Sequence, residues 1–255
     1  MKINMKNKKL IVFDLDGTIT ISRSRIDSEM AELLCQLIKK FKVSIISGGD
    51  FRMFEKQILP YLSKDDTIFS NFYICPTCST RMYVYDKSKD LWVNLYSEDF
   101  SAREKEKIFN AFKKALYKYG HKPKKVYGEI IEDRGSQITF AALGQEAPLE
   151  LKKFWDPNFK KRFEIIKILE RYIPKFNIKI GGTTSIDITK KGIDKAYGIK
   201  KLQNILDIKK EEIVFIGDAL MPRGNDFPVK EYGVDCLAVS SPEETKEIIK
   251  KFILY

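Results

Sequence analysis

The sequence predicts an α/β protein with a Rossmann-like parallel-sheet core and an inserted α+β cap domain. Three observations carry this. Short apolar runs alternate with helical patterns at both ends of the chain, the rhythm of a parallel sheet with right-handed crossovers. The runs Leu10–Phe13, Val43–Ile46 and Ile213–Ile216 each end at once in an acid, a serine or a glycine followed by an acid. Between them the chain changes to strands joined by short turns, which is an antiparallel signature.

Taken in order, Leu10–Phe13 reads as a buried strand, and Met30, Leu33, Leu34, Leu37 and Ile38 recur at helical spacing behind Asp27, a good N-cap. Val43–Ile46 is a second strand. A helix is expected from Phe51 to Pro60 and a third strand at Thr67–Ser70. In the middle region Trp92–Tyr96 reads as a strand. A helix follows from Ser101, whose capping box is completed by Glu104, to a stop at Gly120. Val126–Ile131 and Gln137–Ala142 are strands around a turn at Gly135. Arg162–Tyr172 is a helix that stops before Pro174, and Ile178–Ile180 and Ser185–Ile188 are two more strands. The α/β rhythm then returns with a helix over Asp194–Leu206, strands at Ile213–Ile216 and Cys236–Val239, and a last helix opened by Ser241-Pro-Glu-Glu244. Residues 1–86 and 189–255 are thus expected to form the core, and 87–188 the insert.

The chain has 255 residues, enough for two modest units. Its formal charge is +11, and residues 87–187 hold 21 basic and 14 acidic side chains, so the insert carries most of the surplus. No long Lys/Arg run is present, and acids and bases mostly alternate along helices, which reads as solvated faces rather than a nucleic-acid surface. No apolar run approaches the roughly 18 residues of a membrane span, and Leu10–Phe13 is too short for a signal peptide. Four cysteines are too few for a disulfide scaffold, so a cytoplasmic location is expected. Cys75-Pro-Thr-Cys78 lacks a second pair for zinc and reads as a turn at the junction of core and insert. His121 reads as a surface residue, and Trp155 as part of the insert's own packing.

The chemistry sits at the carboxyl ends of the parallel strands, the edge where open α/β sheets place active sites. The first strand delivers Asp14-Leu-Asp16-Gly-Thr18, the second Ser47-Gly48-Gly49-Asp50, and a later one Gly217-Asp218 followed by Gly224-Asn225-Asp226. Asp14, Asp16, Asp218 and Asp226, with the Asn225 amide beside them, would converge at one edge, and the four acids would repel unless a cation joined them. Oxygen-only ligands fit Mg²⁺, and Lys195, opening a helix, offsets further negative charge.

This set of residues resembles the haloacid dehalogenase-like superfamily. An αβ insert between Ser47 and Lys195 resembles the superfamily's type IIB cap. Within that group the chain is most similar to the eukaryotic-type phosphomannomutase family, carried by Gly217-Asp-Ala-Leu-Met-Pro-Arg-Gly-Asn-Asp226, Ile180-Gly-Gly-Thr-Thr-Ser-Ile-Asp187, Lys191-Gly-Ile-Asp-Lys195 and Glu132-Asp-Arg-Gly135. The resemblance implies Mg²⁺-dependent phosphoryl transfer between the 1- and 6-oxygens of a hexose phosphate, with hydrolysis by a sugar-phosphate phosphatase as the alternative. It makes Asp14 the nucleophile, Asp16 the general acid and base, and Lys195 the phosphate's counter-charge. It places the metal among Asp14, the Asp16 carbonyl, Asp218, Asn225 and Asp226. Thr18, Ser47, Gly48 and Gly49 would hold the reacting phosphate, Arg23 and Arg134 would contact substrate, and Ser185 and Asp187 would hold the sugar. Two further cap positions that are arginine in the family read Gln145 and Lys152 here, and the family's second-motif serine falls at Gly49. The expected partner is a small sugar phosphate, with no nucleic acid and no membrane, and a homodimer through the cap.

Overall fold

The computed structural model describes residues 4–21, 24–222 and 224–254. The chain divides into two compact units, residues 1–97 with 194–255, and residues 98–193.

The first unit is built on a seven-stranded sheet. Its strands are β1 (Leu10–Asp14), β2 (Lys42–Ile46), β3 (Phe72–Cys75), β4 (Arg81–Asp86), β5 (Leu91–Ser97), β10 (Ile213–Gly217) and β11 (Asp235–Ala238), in the order β11-β10-β1-β2-β3-β4-β5. β1 lies at the centre of a parallel block with β2 and β10 on either side; Asp14 pairs with Ile46, and Phe13 with Ile216. All five residues of β1 and of β10 are buried, because helices cover both faces and no polar alternation is needed. α1 (Ser28–Ile38) starts as read, with the Asp27 carboxylate accepting from the Met30 amide. α7 (Lys195–Leu206) is capped by Asp194, and α9 (Pro242–Ile253) by Ser241. The helix read from Phe51 ends early, as α2 (Phe51–Gln57), and passes into a 3₁₀ turn at Leu59–Tyr61. A short helix, α8 (Phe227–Tyr232), carries no signal strong enough to be read beforehand.

Two expectations change here. Thr67–Ser70 is not a strand but lies in a short helix, α3 (Asp66–Ser70), capped by Asp65, and the third parallel strand is the fully buried Phe72–Cys75. Phe72 is what the sheet needs at that position; Ile68 and Phe69 instead turn inward from the helix. The hairpin β4–β5 also belongs to this sheet and not to the insert. Trp92 packs edge-on against Phe69 and Phe72, which anchors β5 to the first unit and carries that unit past residue 86 to Ser97. Likewise Ile188, near the expected second boundary, is paired with Ile138 inside the other unit, which runs on to Ile193.

The second unit holds a four-stranded antiparallel sheet, β6 (Ile131–Asp133), β7 (Ile138–Ala141), β9 (Ser185–Lys190) and β8 (Phe176–Gly181), in that spatial order. Helices α4 (Ala102–Tyr119), α5 (Leu149–Trp155) and α6 (Lys160–Tyr172) complete it. Ile138, Phe140, Ile186 and Ile188 join Ile108, Phe112, Ile165 and Leu169 in one apolar cluster. The capping box at Ser101 and the left-handed stop at Gly120 stand as read. The strand expected over Val126–Ile131 is regular only from Ile131. The chain before it runs irregularly beside the loop at 143–146, with the Tyr127 amide donating to the Leu143 carbonyl at 2.9 Å and the Gln145 amide to the Glu129 carbonyl at 3.0 Å. His121 is half-buried rather than superficial. Its Nε2 lies 2.9 Å from the Ala142 carbonyl, and its ring meets Phe140 and Trp155 edge-on. The chain therefore uses it as packing.

Candidate active site

The parallel strands deliver their acids to one edge of the first unit. Asp14 ends β1 and is only 5% exposed. Asp218 follows β10 directly, and Asp226 comes from the loop that leads into α8, fully buried. Oxygens of these three carboxylates lie within 4.8 Å of one another. The Lys195 ammonium, opening α7, is 2.5 Å from both Asp14 Oδ1 and Asp226 Oδ1. The other Asp226 oxygen accepts from the Ala219 amide at 3.0 Å.

One cation among three acids leaves the cluster short of positive charge. Burial pushes the Asp14 carboxyl well above the usual carboxylate range; Lys195 opposes this, and Asp226 and Asp218 add to it. Burial and Asp226 raise Asp218 in the same sense. For Lys195, burial lowers the ammonium's value, but Asp14 and Asp226 outweigh it and hold the group charged. An oxygen-only donor set with a charge deficit suits a hard divalent cation. Asn225 is exposed beside this cluster, and Asp16 is half-buried and adds no carboxylate to it.

Backbone turns shape the space around Asp14. Gly17 sits at φ +84°, and a Cβ there would stand 2.5 Å from Asp218 Oδ2, so only glycine lets this loop pass the acid. Its amide donates to the Thr20 carbonyl at 2.8 Å. The Thr18 hydroxyl, in the loop that follows Asp14, is fully buried with no hydrogen-bond partner among the described residues. Just past β2, Ser47 follows the residue paired with Asp14 and is 1% exposed; its Oγ accepts from the Gly49 amide at 3.1 Å, with Gly48 between them. Arg23 lies outside the described residues.

The second unit's residues form a separate constellation. Asp187 on β9 and Thr139 on β7 are register partners, and the Thr139 hydroxyl donates to Asp187 Oδ1 at 2.7 Å. Gln137 in turn donates to Thr139 at 2.9 Å. Burial raises the Asp187 carboxyl, and nearby Arg134 pulls it back. Arg134 itself forks onto Glu132 Oε2, at 2.9 Å from Nε and 2.6 Å from Nη2. Lys152 is buried, and its ammonium donates to the Gln145 carbonyl at 2.8 Å, so these two positions are tied to each other. Ser185, half-buried, opens β9 and pairs with Ala141. Residue typing passed over Arg162. It is 1% exposed and bonds the equally buried Asp156 at 2.9 Å and the Gly181 and Gly182 carbonyls at 2.8 and 2.7 Å. Its signal was a charge standing three and four residues before Ile165 and Ile166 on the apolar stripe of α6.

The family model for eukaryotic phosphomannomutase matches residues 30–255. This chain belongs to that family. A phosphomannomutase of Saccharomyces cerevisiae is 27% identical over 255 residues, covering 96% of this chain and 94% of that protein. One from Encephalitozoon cuniculi is 26% identical over 250 residues, covering 93% and 91%. Among solved structures, the IMP-nucleotidase of Plasmodium falciparum superposes with a TM-score of 0.70 at 20% identity, over 98% of this chain and 69% of that one, which speaks for the fold. As a member of the phosphomannomutase family, the chain is a haloacid dehalogenase-type phosphotransferase with an α/β core and an α+β insert. No described helix is long and apolar enough to cross a membrane.

Proposed function

We propose that the protein transfers a phosphoryl group between the 1- and 6-oxygens of mannose through an aspartyl-phosphate on Asp14. The observation that carries this is the buried Asp14 carboxylate at the end of the central strand, 2.5 Å from Lys195 and clustered with Asp218 and Asp226. An Asp14 oxygen forms a bond to phosphorus as the bond from phosphorus to the sugar oxygen breaks. Asp16 gives its proton to that oxygen, and takes one back from the second sugar oxygen when that oxygen attacks the aspartyl-phosphate. Lys195 balances charge on the transferring group, and Thr18, Ser47, Gly48 and Gly49 donate to its oxygens. Asp14, the Asp16 carbonyl, Asp218 and Asp226, with Asn225 beside them, would hold Mg²⁺. When bound, such an ion supplies Lewis-acid stabilisation of phosphoryl charge. The substrate is a small sugar phosphate met in the cytoplasm, gripped at its distal phosphate by Arg134 and at its sugar by Ser185 and Asp187, with Arg23 a further contact. The chain needs neither nucleic acid nor membrane for this, and its second copy docks through the insert.

A phosphatase on the same scaffold is the second reading. It is favoured by Arg134 already engaging Glu132 and by Lys152 engaging Gln145, since each pairing draws cationic charge away from a distal phosphate. The deciding experiment incubates the protein with Mg²⁺ and mannose 1-phosphate, with and without a hexose bisphosphate, and follows mannose 6-phosphate and free phosphate together. Mannose 6-phosphate that depends on bisphosphate supports the mutase; free phosphate alone under both conditions overturns it. Excess chelator should abolish both products, and activity that persists in chelator removes the metal from the proposal.

A further inference from the structure

Three consecutive residues other than glycine, Thr77, Cys78 and Ser79, have φ of 51°, 56° and 68°. One such residue is uncommon; three in a row is a strained turn that its surroundings must hold. The surroundings are the site. The Thr77 amide donates to the Gly49 carbonyl at 2.7 Å and the Cys78 amide to the Ser47 carbonyl at 2.8 Å, while the Ser47 amide donates to the Cys75 carbonyl at 3.1 Å. The turn is thus laced to the loop that carries Ser47 and Gly49. Its far side rests on α7. Ser79 is fully buried, its Oγ has no hydrogen-bond partner among the described residues, and it fills the notch left by Gly198, where a Cβ would stand 2.0 Å from Ser79 Oγ and 2.6 Å from Ser79 Cβ. Gly198 lies one helical turn beyond Lys195. The outer end of the turn is fixed by the Tyr96 hydroxyl, which donates to the Ser79 carbonyl at 2.9 Å.

The geometry points to the 77–79 turn as a wedge that sets the spacing between the Ser47 loop and the Lys195 helix, with Ser79 and Gly198 as positioning residues for phosphoryl transfer. A hydroxyl buried without a partner and a backbone held in the left-handed region are both unfavourable, so the chain keeps them for what they position. The inference rests on the phosphoryl-transfer reading of Asp14, and its test separates the two.

Gly198→Ala should push the wedge outward. With a small aryl phosphate as substrate, which needs no grip on a sugar, kcat should fall by about tenfold or more with KM changed by less than about threefold, since displacements near 1 Å cost up to about a hundredfold. Ser79→Gly removes both clashing atoms and suits the positive φ, so G198A/S79G should return to within about threefold of wild type. Leu202→Ala, in the apolar cluster on the same helix, should lower the melting temperature but spare kcat at temperatures where it is folded. Full activity in G198A, no rescue by S79G, or an equal loss of kcat in L202A overturns the wedge. If G198A alone is insoluble, the double variant must be soluble and active, and an insoluble double variant overturns the wedge too. If the wild type transfers no phosphoryl group, it is the reading of Asp14 that fails. The wedge is then judged by hydrogen exchange at the Thr77 and Cys78 amides, which G198A should speed and the double variant slow again; unchanged exchange overturns it.

Discussion

The two units hold their polar residues in opposite ways. In the first, strands that are distant in sequence but adjacent in space bring Asp14, Asp218 and Asp226 together, and a single lysine leaves the group short of positive charge. In the second, several cations meet partners close by in sequence: Arg134 takes Glu132, Lys152 takes the Gln145 carbonyl, and Arg162 takes Asp156. The first arrangement leaves a charge deficit that suits a hard cation, the pattern expected of a reaction centre. The second is largely self-satisfied, these cations already paired within the insert.

The sharpest way to break this contrast is Asp14→Asn. It should leave the fold intact and reduce turnover of every phosphate ester by more than about a hundredfold, because an amide cannot form the acyl-phosphate. Residual activity above that level removes Asp14 from its role. Next comes Arg134→Ala. A charge-assisted contact to a distal phosphate is worth about 1.5–3 kcal/mol, or about ten- to a hundredfold in transfer between sugar oxygens, while release of phosphate from a small ester stays level. A fall in both together would make Arg134 a structural partner of Glu132 alone. Arg162→Ala should act on stability instead. Removing one member of a buried pair costs about 3–5 kcal/mol, which in a thermal melt followed by circular dichroism should lower the insert's transition by about 12–40 °C. Small-ester turnover below that transition should hold. If it collapses, the two units are not as separate in role as their residues suggest.

The smallest effect is electrostatic and involves residues outside the carboxylate cluster. Lys246 bonds the Asp27 carboxylate at 2.7 Å and lies 3.1 Å from Glu29. The bond from Lys246 lowers Asp27, and Lys250 with Lys246 lowers Glu29. Depressed carboxylates stabilise the fold above their ordinary range near pH 4 and lose that contribution as pH falls through their folded values. The melting-temperature gap between wild type and Asp27→Asn should therefore be open at pH 6 and shrink toward pH 3. A gap that widens on acidification reverses the assignment.

Much of the core site was readable because Asp14, Ser47 and Gly217-Asp218 each directly follow a short apolar run, and in this α/β rhythm such runs read as buried strands. The run fixes the strand, and the strand's end fixes the acid. The same logic misplaced the third strand. Thr67–Ser70 and Phe72–Cys75 are both short and apolar, and only Asp65, as a cap, separates helix from strand. The insert was less legible. Val126–Ile130 has the residues of a strand, but its hydrogen bonds go to the loop at 143–146, a pairing no local pattern reports. Arg134 and Lys152 were identifiable as cations, yet their partners were not, since Glu132 and the Gln145 carbonyl come within reach only after the sheet and α5 have formed. The left-handed turn at 77–79 carries no glycine to mark it.

The ion pair between Lys195 and Asp14 spans 181 positions. During synthesis at roughly 5–20 residues per second, Asp14 leaves the ribosome on the order of ten to forty seconds before its lysine exists. Until then the central strand has neither β10 beside it nor a counter-charge above it. The nascent chain must wait with that carboxyl solvated or protonated, and the whole insert is made during the wait. Assembly of the carboxylate cluster is therefore a property of the finished chain. A truncation between β1 and α7 keeps Asp14 but lacks Lys195, Asp218 and Asp226.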